Sequence, residues 1–155
     1  MYTNSSCTLY LSSLGFSKLY ISKAFLTQRS VFSQQKTGLS YVESAFCMFI
    51  GDAYFHVPYY YSPYSKLLCG DISIGEVPKN AGKAVKVINL EAIPFTGGKD
   101  FLIEGDADID VDVSDEKAKS ETIQRLKKAG AKTIKSAEYK KMGSHNMRHW
   151  ELSCN

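Results

Sequence analysis

Residues 106–113, DADIDVDV, alternate with strict period two. Side chains of an extended chain point to opposite faces in turn. Ala107, Ile109, Val111 and Val113 therefore share one face, and Asp106, Asp108, Asp110 and Asp112 share the other. This pattern predicts a strand with one side against a core and one side in water.

The sequence around the comb has equally local signals. Ser114 is placed to cap a helix over residues 115–129. Asp115 and Glu116 lie in its first turn and Lys127 and Lys128 in its last, as the helix dipole favours. Ala118, Thr122, Ile123, Leu126 and Ala129 form its inner stripe, and Gly130 stops it. Residues 132–141 read as a strand, residues 143–146 as a turn and residues 147–154 as a final strand. Upstream, residues 84–90 are rich in β-branched side chains and predict a strand. Pro94 and Gly97-Gly98 mark a turn, and Phe101 begins another strand.

The N-terminal half reads differently. Phe16, Leu19, Tyr20 and Ala24 recur at helical spacing and predict an amphipathic helix over 16–27, with a strand from Ser17 to Ser22 as the alternative. Residues 28–39 read as a polar connection. Ser40 and Glu43 have the spacing of a capping box before an apolar run, which predicts a helix over 41–50 ended by Gly51. A buried strand competes there, because residues 46–50 are apolar on every side. Pro58 and Pro63 exclude a central strand over 56–64.

The expected fold class is α+β: a single domain over residues 1–155, with a mainly antiparallel sheet, one well-defined helix at 115–129 and one or two N-terminal helices. Residues 1–35 are a candidate peripheral segment. With 155 residues, 44% of them hydrophobic and 23% charged, the chain can bury a core without staples. The net charge of +3 hides an asymmetry, since residues 76–155 hold 14 of the 19 basic and 13 of the 16 acidic groups. Neither half has a single-sign block, so nucleic acid is not an expected partner. No apolar window reaches the length of a membrane helix, so no membrane span is expected. The N-terminus lacks a secretory pattern, which points to the cytoplasm. The serine-rich, acid-free residues 1–35 also suit an organellar address.

Four features bear on chemistry. The comb of Asp106, Asp108, Asp110 and Asp112 spaces carboxylates about 6.5–7 Å apart. It fails the EF-hand pattern, with Val111 where glycine and Lys117 where glutamate are required. Its first reading is a solvated face neutralised by lysines of neighbouring strands, such as Lys83, Lys86, Lys132, Lys135, Lys140 and Lys141. The cation site is the lesser reading. Nine of the ten tyrosines lie in residues 1–64, and Tyr59, Tyr60, Tyr61 and Tyr64 form a cluster beside His56. Such rings offer contact area at low entropy cost and suit an interface. Cys7, Cys47, Cys69 and Cys154 form no C-x-x-C pair, which leaves them as core thiols. His145 and His149 flank a turn rather than share a helix face. No cofactor motif occurs. The expected function is non-enzymatic binding or assembly, with a protein partner or a second copy docking on the tyrosine-rich segment. The alternative is a small-ligand-binding protein or enzyme with a pocket between sheet and N-terminal helices, near His56, Asp52 and Cys69.

Overall fold

A computed structural model describes residues 3–35, 38–56, 84–141 and 148–155. Among these residues eight strands run Ser5–Leu11 (β1), Ser17–Gln35 (β2), Gly38–Phe49 (β3), Ala53–His56 (β4), Ala84–Lys86 (β5), Asp100–Glu104 (β6), Lys132–Lys140 (β7) and His149–Cys154 (β8). A helix, Glu116–Lys128 (α1), falls between β6 and β7.

All pairings are antiparallel. The order β1-β6-β7-β8-β3-β2 returns to β1, so six strands close into a barrel. Closure leaves those strands no open edge over their paired length. β4 and β5 branch from it. β3 and β4 both run along one side of β2, at Phe25↔Met48 and Ile21↔Ala53, and they are separated by a bend at Gly51 and Asp52. β3 stays in the barrel and β4 peels away.

The barrel is filled by alternate residues of its strands. Cys7, Leu9 and Leu11 come from β1; Leu19, Ile21, Ala24 and Leu26 from β2; Ala45, Cys47 and Phe49 from β3; Leu102, Ile134, Leu152 and Cys154 from the rest. A second, smaller core lies outside the barrel wall. It joins Tyr10, Phe101 and Ile103 to Leu126 of α1, with Ala107, Ile109 and Val111 packed against them.

The N-terminal helices expected over 16–27 and 41–50 are absent, and the fold is a mainly-sheet barrel rather than α+β with N-terminal helices. The first misreading has a local cause. β1 pairs Ser5 with Ala24 but Cys7 with Ile21, so β2 carries an extra residue at Ser22-Lys23. This bulge switches which parity faces inward. Leu19 and Ile21 point in before it, and Ala24 and Leu26 after it. Of the four residues read as one helical face, Leu19 and Ala24 line the barrel, and the bulge allows that odd separation of five; Phe16 and Tyr20 are only half-buried. In the second, Ser40 and Glu43 stand in a ladder opposite Ser33 and Ser30. The run 46–50 looks apolar all round because Phe46 and Met48, on the outer face, are themselves half-buried. The polar connection 28–39 is also strand, apart from residues 36–37, which lie outside the described residues.

Residues 106–113 are extended but join no ladder. Both sides of β1 and both sides of β6 are already taken, so the segment has no edge to pair with. It crosses the outer wall as a strap. Its alternation survives in burial, with the aspartates exposed and Ala107, Ile109 and Val111 inward, but Val113 is 43% exposed. Asp115, not Ser114, caps α1, its carboxylate accepting from the Ala118 amide at 2.7 Å. Leu126 is buried, and Ala129 is exposed rather than part of the inner stripe. The strand expected over 84–90 stops at Lys86, and Leu90–Ala92 form a 3-10 turn.

Candidate functional site

Beyond the barrel, β2 and β3 continue as a two-stranded ribbon. β1 follows β2 only to Ala24, and β8 follows β3 only to Ala45. The β2–β3 register runs on unshifted from Phe25↔Met48 to Gln35↔Gly38. From Ser30↔Glu43 outward, the two strands are each other's only ladder neighbours among the described residues. Val31 stands opposite Val42 and Phe32 opposite Tyr41. β-Branched and aromatic cross-strand pairs are the kind that stabilise a hairpin. A hairpin alone in water is nonetheless marginal.

The base of the ribbon is pinned by side chains. The Asn4 amide takes the place of a further rung of β1: its Oδ1 accepts from the Leu26 amide at 2.9 Å and its Nδ2 donates to the Leu26 carbonyl at 3.1 Å. Gln28 Nε2 donates to Glu104 at 3.4 Å, and Ser5 Oγ donates to the other oxygen of that carboxylate at 2.8 Å. The ribbon thus leaves the barrel where β1 and β6 end.

The acidic strap is held by side chains reaching out of the wall. Thr8 Oγ1 donates to the Gly105 carbonyl at 2.7 Å and accepts from the Ala107 amide at 3.1 Å. The buried Tyr10 hydroxyl donates to the Ile109 carbonyl at 2.5 Å. Burial pushes that phenol up, and the charges of Asp110, Asp106 and Asp108 add to the effect. Lys18 Nζ reaches Asp110 at 3.0 Å and the Ala107 carbonyl at 3.3 Å. Among the described ion pairs, the lysine that meets the comb is thus Lys18 of β2, which the sequence reading did not name. The Asp112 carboxylate accepts from the Ser114 amide at 2.9 Å, which holds it below its usual range. Among the described residues no three His, Cys, Asp or Glu side chains are grouped to hold a metal ion.

Tyr59, Tyr60, Tyr61, Tyr64, Cys69 and His145 lie outside the described residues. His56 ends β4 opposite Ala84. Asp52 accepts the Ser22 amide on its carbonyl and sits 3.7 Å from Lys23 at the surface. The helices needed to wall a ligand pocket against the sheet are strands. Cys7 and Cys47 meet inside the barrel with sulfurs 3.9 Å apart, and Cys154 is buried too; none of the three is in a disulfide. The hydrogen bond with Cys47, and then burial, hold the Cys7 thiol well above its ordinary value. His149 contacts Glu151 at 3.0 Å, and Lys140 bridges Glu151 and Glu138.

The ribbon is the feature that sequence reasoning missed. Its one local signal was a pair of apolar dipeptides, Val31-Phe32 and Tyr41-Val42, on either side of a polar run. No protein-family model matches the chain, and no curated protein or solved structure matches it either.

Proposed function

We propose that this chain is a non-enzymatic binding or assembly protein. The barrel acts as a scaffold, and the β2–β3 ribbon makes protein–protein contact together with the tyrosine-rich residues 59–64. One observation carries the reading: β2 and β3 stay paired from Ser30↔Glu43 to Gln35↔Gly38 with no third strand beside them among the described residues. Backbone donors and acceptors on such an edge favour another strand. The buried polar side chains support a scaffold role. Thr8 and Asp100 are the buried polar residues among those described, and each is committed to backbone partners within the fold.

The test removes the ribbon and leaves the barrel. Replacing residues 30–43 by Asn-Gly joins Arg29 to Ser44 through a two-residue hairpin loop. Circular dichroism and the emission of Trp150 report the barrel, and sedimentation reports association. The expected result is a folded barrel that no longer associates. The same loss, in smaller degree, is expected for Tyr60→Ala with Tyr61→Ala. Association that survives the ribbon deletion unchanged removes the proposal.

A further inference from the structure

We infer that the ribbon pairs through its β2 edge with the same edge of a second copy of this chain, an inference that rests on the assembly role proposed above. The partner follows from the direction of the backbone groups. The Ala24 carbonyl accepts from Asn4, and both backbone groups of Leu26 bond the Asn4 side chain. These groups point away from β3. Along a regular strand the direction alternates residue by residue, and the β2–β3 register has no shift past this point. Gln28, Ser30, Phe32 and Gln34 therefore turn their N–H and C=O groups to the same outer side, each residue supplying one donor and one acceptor. No strand is paired to that side among the described residues.

A row of alternating donors and acceptors is complementary to itself when turned antiparallel about a two-fold axis. Placing the axis at Val31 sets Gln28 against Gln34 and Ser30 against Phe32 of the other copy. Every outward group from 28 to 34 then finds a partner. Val31 meets its own copy in the closely spaced, non-hydrogen-bonded position, a β-branched pair that suits that rung. Charge also fits. Arg29 is the one charged residue between 28 and 35, and in this register it faces Ser33, so no like charges oppose. The edge also lacks the devices that prevent such pairing: it has no proline, no bulge and no lysine. The β3 edge fits less well. It offers only Leu39, Tyr41 and Glu43 before β8 takes over at Ala45, and one of these is charged.

Proline at an outward position removes an edge donor and leaves the β2–β3 ladder whole. Sedimentation of the full chain is expected to show a concentration-dependent dimer. Ser30→Pro is expected to raise its dissociation constant at least about tenfold, because the two-fold repeats each lost contact, with the Trp150 emission unchanged. Val31→Cys is expected to yield a disulfide-linked dimer with oxidised glutathione, since that rung brings α-carbons to about 4.5 Å. Arg29→Cys, set against Ser33, is expected not to do so.

Hydrogen exchange of the wild-type amides of Gln28, Ser30, Phe32 and Gln34 decides the matter even if the proline variant misfolds. Exchange that slows as concentration rises supports the pairing. Fast exchange in a chain that stays monomeric overturns it. Protection at every concentration in a monomer also overturns it, since the chain then covers its own edge. A dimer untouched by Ser30→Pro but lost on deleting residues 30–43 overturns the edge pairing and keeps the assembly role. A dimer that survives both changes overturns both.

Discussion

Asp100→Asn tests whether the barrel is closed where β1 meets β6. Asp100 is fully buried at the start of β6. One carboxylate oxygen accepts from the Ser12 amide at 2.8 Å and the Ser12 hydroxyl at 3.1 Å; the other accepts from the Thr96 amide at 2.5 Å. Ser12 follows β1 directly, so this one side chain ties the end of β1 to the turn that leads into β6. Asparagine keeps the shape but has one acceptor. In one orientation its NH2 faces the Thr96 N–H, and in the other it faces the Ser12 N–H. Either way a buried amide loses a charge-assisted bond, of about 1.5–3 kcal/mol, and stands against a donor. The expected loss is about 3 kcal/mol, a large share of the ~5–15 kcal/mol that holds a domain together. For a chain of this length that lowers the melting temperature by about 6–12 °C. Urea unfolding followed by the emission of Trp150, which is buried and donates to the Leu90 carbonyl at 2.7 Å, measures it directly. The midpoint moves and the slope stays constant if only stability has changed. A loss under about 1 kcal/mol refutes the reasoning, because the amides must then reach water.

Two further outcomes follow from the packing. Burial pushes the Cys154 thiol up to about 12, and Cys7 and Tyr10 are raised as well, so these acids bind protons more tightly folded than unfolded. Stability is therefore whole below pH 9.0, the unfolded thiol's value, and falls as pH climbs towards 12; Tyr10→Phe makes the fall shallower, and a melting temperature flat over that range contradicts the burial. Gly97→Ala places a Cβ 2.7 Å from the Lys135 carbonyl oxygen, a backbone atom that cannot swing aside; it is expected to cost about 1–3 kcal/mol by the same urea titration, and an unchanged midpoint refutes that close approach.

The parts of this fold that local chemistry specifies were legible in the sequence. α1 has acids at its start and bases at its end, and it forms within a residue or two of where those signals put it, although Asp115 rather than Ser114 is the cap. β6, β7 and β8 form close to where the turn residues between them put strands. What failed is what depends on partners distant in the chain. Leu19, Ile21, Ala24 and Leu26 line the barrel with a bulge in their midst. The bulge exists because β1 lies alongside, and nothing within β2 announces it. The DADIDVDV segment is the converse. Its alternation holds in burial from Asp106 to Asp112 and fails at Val113, and whether it pairs depends on edges that other strands already occupy. The candidate site was hidden for a related reason. Gln28, Ser30 and Gln34 look like loop residues because side-chain type carries the sequence signal. A strand edge works through backbone groups that every residue but proline possesses.

That difference also explains why the barrel and the ribbon put opposite demands on sequence. Inside the barrel each position has to fill space, so Leu9, Leu19, Phe49 and Leu152 are large, apolar and wholly buried. The wall is spent on closure, and each barrel strand has a neighbour on both sides along part of its length. Two of the described segments lie outside that closure and differ in what their backbones have left to bond. One is the acidic strap, whose backbone is held by Thr8 and Tyr10 and whose lone bridging cation among the described ion pairs is Lys18; the other is the ribbon. The strap's charges are content in water. The ribbon's outward amides have no ladder partner among the described residues, and the pairing proposed above supplies one.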